Sequence, residues 1–240
     1  GAREIVKETD RIRYTEGAVS SSAQLERVDA SPSLKDRAYS AIKDAILSLR
    51  LEPGSPIVET NLAEQLGISK TPVRDALQEL EREGFVTRVF FKGTYVTDVT
   101  MKDIREVFEL RAVLEGLAAR IAATLFEDDE LRAVGRHLEQ ARLALEGGDL
   151  VLCSQHGQQI HHAIRQRIDN ERLAVIIGNL DDHLRRFRGL SDQISGRLKK
   201  SLAEHERVLA ALERRDPGAA EQAMRDHLFS VLYALQETGL

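Results

Sequence analysis

Apolar residues recur at helical spacing over most of this chain, and one short stretch breaks the rhythm with a different period. Over 34–50, Leu34, Ala38, Ala41, Ile42, Ala45, Ile46 and Leu49 share one face, which predicts an amphipathic helix. Leu62, Ala63 and Leu66 then form the face of a short helix beginning near Glu59. Gly67 follows, a residue suited to the left-handed conformation that ends helices. Ile68 is expected to plug the turn and Ser69 to cap the next helix. Pro72 falls in its first turn, where a missing N–H costs nothing. Val73, Ala76, Leu77 and Leu80 point to one side of that helix, and Lys70, Thr71, Arg74 and Gln78 to the other. The period then drops to two: 85–89 and 94–97 read as strands of a hairpin with Lys92 and Gly93 at its tip. Helix, turn, helix and hairpin make a winged helix-turn-helix. Such a second helix buries one side and offers donors to a DNA major groove with the other. A basic wing tip suits phosphate or minor-groove contact.

Beyond a short link at 98–100 no strand pattern appears, and no Gly or Pro string separates the halves, so they are expected to be closely coupled. Six helices are predicted, over 101–126, 129–145, 149–168, 171–190, 191–214 and 217–236. In the first of them Ile104, Val107, Phe108, Leu110, Leu114, Leu117 and Ile121 are expected inward. Gly147 and Gly148 end the second, and Pro217 opens the last, where proline is tolerated. The fold class is therefore mainly α: an N-terminal winged helix-turn-helix over 33–98 and a C-terminal all-α antiparallel bundle of six helices over 101–238. Such a bundle can enclose a pocket between its helices. Residues 1–32, with mixed charge, a Ser20-Ser21-Ser22 run and weak periodicity, read as a flexible extension. The basic run Arg185, Arg186 and Arg188 reads as a solvated face.

Composition changes this picture little. The chain has 240 residues, 42% of them hydrophobic, and a formal charge of −5. Residues 33–100 carry nine Lys and Arg against ten Asp and Glu. The DNA inference thus rests on where a few cations sit and not on a basic domain. The single cysteine, Cys153, excludes an intrachain disulfide, suits a reducing cytoplasm and is expected to be a buried small hydrophobe. No signal-peptide pattern opens the chain and no apolar run is long enough to cross a membrane, so no membrane partner is expected.

The run Ser69-Lys70-Thr71-Pro72-Val73-Arg74-Asp75-Ala76-Leu77, with Tyr39, Ile42, Ile46, Pro53-Gly54, Leu62-Ala63, Leu66-Gly67, Leu80, Glu83-Gly84 and Gly93, resembles the DNA-binding domain of the GntR family of bacterial transcription regulators. The similarity is strongest to the FadR-type branch. It implies that Ser69, Lys70, Thr71 and Arg74 meet bases and phosphates at the start of the recognition helix, with Lys92 and Gly93 at the wing tip. The second half, through Val107-Phe108-Glu109-Leu110-Arg111, Leu114-Glu115, Glu204-His205 and His227-Leu228, resembles the FCD ligand-binding domain in a six-helix, VanR-like variant. Together these imply a bacterial, cytoplasmic, homodimeric regulator of a palindromic operator, a repressor relieved by a small-molecule carboxylate.

His161, His205 and His227 lie on or beside apolar stripes of three separate helices. Three converging imidazoles hold a divalent metal such as zinc, nickel or manganese; three dispersed ones are ordinary core or surface groups, and helical spacing alone does not choose. The resemblance does: metal-binding FCD domains carry one Asp and three His, and these three match. The Asp is expected four residues before the first His, where this chain has Gly157. Losing an anionic ligand implies weaker metal binding, with water or an effector carboxylate completing the shell. His156 and Gln158 flank that position but lie off the face; His162 is expected to be exposed. In relatives an Arg on the opening FCD helix reaches the pocket, which makes Arg111 an effector contact; the plain alternative is a salt bridge to Glu115 one turn on. The competing functions are a metal-responsive regulator, with the ion itself as effector, and a metalloenzyme. No HExxH, no G-x-S-x-G and no acid paired with the histidines supports an enzyme.

Overall fold

A computed structural model describes residues 32–238; the expected extension lies, but for Pro32, outside them. Helix α1 (Leu34–Leu47) opens with a capping box: the Asp36 N–H donates to Ser33 Oγ, and the Ser33 N–H donates to the Asp36 carboxylate. Its buried face is Ala38, Ile42 and Ile46. It stops earlier than its apolar pattern because Leu49 takes a left-handed conformation, φ 59°. Leu34 and Leu49, both expected inward, are half exposed. Helix α2 (Glu59–Leu66) ends at Gly67, which is left-handed as expected, and α3 (Lys70–Arg82) follows.

Strands β2 (Val86–Val89) and β3 (Gly93–Val96) form the hairpin, with Val86 opposite Val96 and Val89 opposite Gly93. A third strand, β1 (Pro56–Ile57), pairs antiparallel with β3, so the sheet order is β1-β3-β2. Two residues are too few to show a period, which is why the sequence pattern missed it. Ile42, Ile46, Val73, Leu77, Leu80 and Phe85 close one core under this sheet.

Thr100 caps α4 (Met101–Ala122) through a second capping box with Asp103. Then come α5 (Asp128–Glu146), α6 (Leu150–Gly157), α7 (Gln159–Arg167), α8 (Glu171–Arg185), α9 (Arg188–Asp192), α10 (Arg197–Glu213) and α11 (Pro217–Glu237). Helix α4 runs along α11 and also meets α7 and α8, while α10 lies against both α11 and α5. Phe108, Ile160, Ile164, Leu212, Met224 and Leu228 fill the core between them.

The six expected helices are present, with three differences, the simplest being that the fifth opens at Arg197 and not at 191. The third helix bends at Gln158, just after Gly157, where a residue without a side chain weakens the helix. The fourth stops at Arg185, because Phe187 turns into the core and leaves only the short α9 before α10. On α4, Leu110 and Leu117 face outward beside Val113, contrary to expectation. Apolar residues occupy two sides of this helix, and periodicity does not say which side meets the core.

These burials give a direct comparison. Leu80→Ala, at a fully buried site, is expected to lower unfolding free energy by about 2–5 kcal/mol in urea titrations. Leu34→Ala, half exposed, is expected to change it by under about 0.5 kcal/mol.

Candidate functional site

The face of α3 away from the core carries the residues expected to meet DNA. Ser69, Lys70, Thr71 and Arg74 are all exposed, as are Lys92 and Gly93 at the wing tip. Two details differ from expectation. Ser69 occupies the N-cap position, yet its side chain makes no capping bond; its extended backbone alone starts the helix, and the hydroxyl stays free. The Arg74 guanidinium is engaged by Glu59 at the start of α2, with Nη2 donating to Oε2 at 2.9 Å. A base or phosphate that takes Arg74 must displace Glu59.

In the helical half, α7, α10 and α11 bring His161, His205 and His227 together. The Nε2 of His205 lies 3.2 Å from that of His161 and 3.2 Å from that of His227. Their candidate ligand atoms all fall within 4.8 Å of one another. Two carboxylates set the rings. Glu115 on α4 takes the Nδ1 of His161 at 2.6 Å, and Glu204 on α10 takes the Nδ1 of His227 at 2.8 Å. Each carboxylate is also held by an arginine: Arg111 Nε donates to Glu115 at 2.6 Å, and Arg197 donates to Glu204. Arg197 reaches Ser201 and Ser230 as well.

Charge follows from this wiring. Burial pushes the Glu115 carboxyl upward, but Arg111 and His161 outweigh it and bring it to about 2. Burial likewise opposes ionisation of Glu204, and bonds from His227, Ser230 and Arg197 bring it to about 2. Burial pushes His227 down to about 4, with Glu204 offsetting only part of the shift. Burial, then His227 and His161, hold His205 well below its usual range. An ionised carboxylate only accepts, so the Nδ1 atoms of His161 and His227 carry protons and their Nε2 atoms turn toward His205. The remaining nitrogen, His205 Nδ1, is buried without a hydrogen-bond partner. It faces Gly157, where an added Cβ would lie 3.6 Å from it. Converging imidazole nitrogens, neutral at His205 and His227, with carboxylates behind two of the three rings, fit a divalent ion.

A cavity of about 350 Å³ opens beside the triad. Arg111 and Gly157 line it, as do Arg165, Asp181, Arg188 and Asp192. Arg188 Nη2 donates to Asp181 at 2.8 Å, and Ser154 donates to Asp192 at 2.6 Å. His162 is exposed, as expected. His156 instead meets His137 at 3.1 Å, and Gln158 lines the cavity while donating to Ser154. Cys153 is buried, as expected.

The last turn of α8 ties this cavity to the winged half. Asp181 and Leu184 face the cavity, while Asp182 pairs with Lys43 of α1 at 2.8 Å. His183 stacks on Phe85, ring centroids 4.3 Å apart and planes 7° from parallel. Lys43 also bonds Tyr39 and Glu83. Burial alone lowers its ammonium pKa, but Asp182, Tyr39 and Glu83 more than reverse that. Arg186 is buried and donates to the Thr97 carbonyl, and Arg188 faces the cavity. The basic run is therefore a solvated face only at Arg185, which is exposed; Arg186 and Arg188 are drawn inward as α8 ends against the winged half.

Sequence reasoning missed Glu115 and Glu204 as partners of the histidines, and with them Arg197 and the contacts that α8 makes with the cavity and the winged half. Only the adjacency of Glu204 to His205 hinted at a link, and adjacent helical residues point apart. Both acids are already bonded to Arg and His, so neither is a free base.

Comparison with known proteins agrees with this fold. The model described as "Bacterial regulatory proteins, gntR family" matches residues 34–96, and the FCD domain model matches 106–230. The chain is 30% identical to the "Probable D-xylose utilization operon transcriptional repressor" of Paenarthrobacter nicotinovorans, over 77% of this chain and 81% of that one. It is 26% identical to the "HTH-type transcriptional repressor RspR" of Escherichia coli K12, over 83% and 87%. Among solved structures, E. coli McbR/YncC shares the fold at TM-score 0.69 and 24% identity, covering 87% of this chain and 99% of that one.

The buried histidines make stability depend on pH. The folded pKa of His227 lies below its ordinary 6.5, so the unfolded chain takes up protons first as pH falls. The contribution is full above 6.5 and is lost between 6.5 and about 4. Thermal melts of metal-free protein are expected to be flat near neutrality and to fall across that window. His227→Gln should flatten the drop; an unchanged profile would contradict the assignment.

Proposed function

Because this chain belongs to the GntR family of bacterial regulatory proteins and carries an FCD domain, we propose that it is a repressor whose operator affinity is set by a small carboxylate in the histidine cavity. As a member it is a DNA-binding transcriptional regulator and not an enzyme. The observation that carries the effector reading is α8, which lines the cavity with one side and holds Lys43 and Phe85 of the winged half with the other.

A divalent ion held by His161, His205 and His227 would supply a positive pole for the effector carboxylate. Glu115 and Glu204 fix the outer two rings for this. Gly157 leaves room where relatives place an Asp, so an effector oxygen has a site beside His205 Nδ1. Arg111, Arg165 and Arg188 line the same cavity, and guanidinium recognises a carboxylate well. The volume of about 350 Å³ suits a small organic or sugar acid. The relative named for a D-xylose utilization operon supports a carbon-source signal.

An acid that draws Arg188 from Asp181 changes what holds the last turn of α8. The neighbouring contacts, Asp182 with Lys43 and His183 with Phe85, then pass the change to α1 and the winged core. This is a population shift between two placements of the winged domains, which a palindromic operator distinguishes. A homodimer follows from that operator symmetry, and the exposed stripe of Leu110, Val113 and Leu117 on α4 supports one.

Two measurements test the reading. Protein purified without chelator is expected to hold near one equivalent of zinc, nickel or manganese per chain, and His205→Ala none. Glu204→Gln is expected to weaken binding about 10–100-fold. No ion in wild-type protein would remove the metal and leave the arginines to hold the acid. DNA affinity that follows the ion alone would favour the metal-responsive reading. In gel shifts with a selected operator, Arg74→Ala should cost about 1–3 kcal/mol and relax one base position. Lys92→Ala should weaken all sequences alike and flatten the salt dependence by about one ion. Equal losses for Arg74→Ala on operator and random DNA would contradict its role.

A further inference from the structure

The wing carries a feature that neither phosphate contact nor the recognition helix explains. Strands β2 and β3 pair up to Val89 and Gly93, leaving Phe90, Phe91 and Lys92 as a three-residue tip. The Lys92 N–H donates to the Val89 carbonyl at 2.9 Å, and the Tyr95 hydroxyl donates to the Lys92 carbonyl at 3.2 Å, so the tip is braced. Both phenylalanines stand out from it, Phe90 83% and Phe91 94% exposed. Phe91 is left-handed at φ 62°, a conformation that disfavours bulky side chains. The two rings meet each other, centroids 4.1 Å apart and planes at 57°. The tip thus bears two unfavourable features, exposed aromatic area and a strained backbone, and both present the rings outward.

The surroundings indicate what the rings meet. Residues 88–97 hold two cations, Arg88 and Lys92, and no acid, within a region whose net charge is −1. Arg88 is loosely paired with Glu81 at 3.3 Å on the surface, while Lys92 is exposed beside the rings. An apolar wedge between two cations complements a minor groove, where phosphates line both walls and base faces lie between them. Side chains of this kind enter base steps from the minor groove, unstack them and kink the duplex toward the major groove.

We propose that Phe90 and Phe91 form an apolar wedge that enters the minor groove beside the recognition helix and opens one base step in each half-site. This rests on the DNA-binding reading. The wedge makes the deformability of a step the protein never hydrogen-bonds part of operator choice, favouring pyrimidine–purine steps such as TA or CA/TG.

The test uses the full chain and a duplex enriched from a random-sequence pool by the wild-type protein. The duplex carries dyes at its ends, and 2-aminopurine is placed at successive steps. Wild-type protein is expected to shorten the end-to-end distance and to brighten 2-aminopurine at one step per half-site. The double variant Phe90→Ala, Phe91→Ala should lose both signals and bind about tenfold more weakly or worse. Its salt slope should stay unchanged, since no charge is removed, whereas Lys92→Ala changes the slope. The double variant Phe90→Leu, Phe91→Leu should keep most of the bend, because aliphatic wedges act the same way. Both positions are exposed, so melting midpoints should not move. A double alanine variant that binds and bends like wild type overturns the wedge alone. Loss of self-association or of lipid-vesicle binding by that variant, with DNA affinity intact, overturns it and assigns the rings to another surface. A pool that enriches no sequence overturns the DNA-binding reading and the wedge with it.

Discussion

A carboxylate buried in a helical bundle is costly unless its charge is fully paired, and this chain buries two such groups around one histidine cluster. Glu115 and Glu204 each lie within an arginine and a histidine. The pairing is a mutual requirement: remove Arg111 or Arg197 and an uncompensated charge remains in the core. The same bonds fix a proton on the Nδ1 of His161 and of His227, and so turn both Nε2 atoms toward His205. The triad's geometry is therefore a consequence of how two buried charges are satisfied. His205 stands between the other two rings with its Nδ1 unpaired, which leaves one open polar position in an otherwise closed network.

That open position lies on the cavity, and the cavity is bounded by the helix that reaches the winged half. Polar contacts dominate the junction: Lys43 with Asp182, Glu83 and Tyr39, and Arg186 with the Thr97 carbonyl. The stack of His183 on Phe85 adds a flat apolar contact that tolerates sliding. Burial holds the His183 pKa below its ordinary value, and the cations Arg186 and Lys43 add to the shift. Junctions of this composition exchange partners more readily than a continuous hydrophobic core, and they suit a signal carried as a change of placement.

On the DNA side the arrangement is one of held and free groups. Glu59 holds the exposed Arg74 guanidinium at 2.9 Å, so any other partner of Arg74 competes with that carboxylate. Lys70, Thr71 and Ser69 are exposed. Residues 33–100 carry no basic excess, so the proposed DNA contacts rest on these few placed groups and on the wing tip.

The winged half was legible in the sequence because its signals are local. Gly67, Pro72 and the spacing of Val73, Ala76, Leu77 and Leu80 act within one or two turns, and α2, α3 and the hairpin fall where they predict. The helical half was legible as helices but not as a packing. Apolar residues on two sides of α4 left Leu110 and Leu117 misassigned, and the bend after Gly157 looked continuous. Histidine identity marked His161, His205 and His227 as candidates, yet only tertiary structure could bring them within hydrogen-bonding distance. Glu115 and Glu204 read as ordinary helix acids because their partners lie 46 and 23 residues away. Arg186 and Arg188 looked solvated, as Arg185 is, for the same reason: their targets, Thr97 and the cavity, are distant in sequence. Local chemistry, written in neighbouring residues, fixes which elements form; the pairing of buried charges between helices depends on contacts that no spacing along the chain encodes.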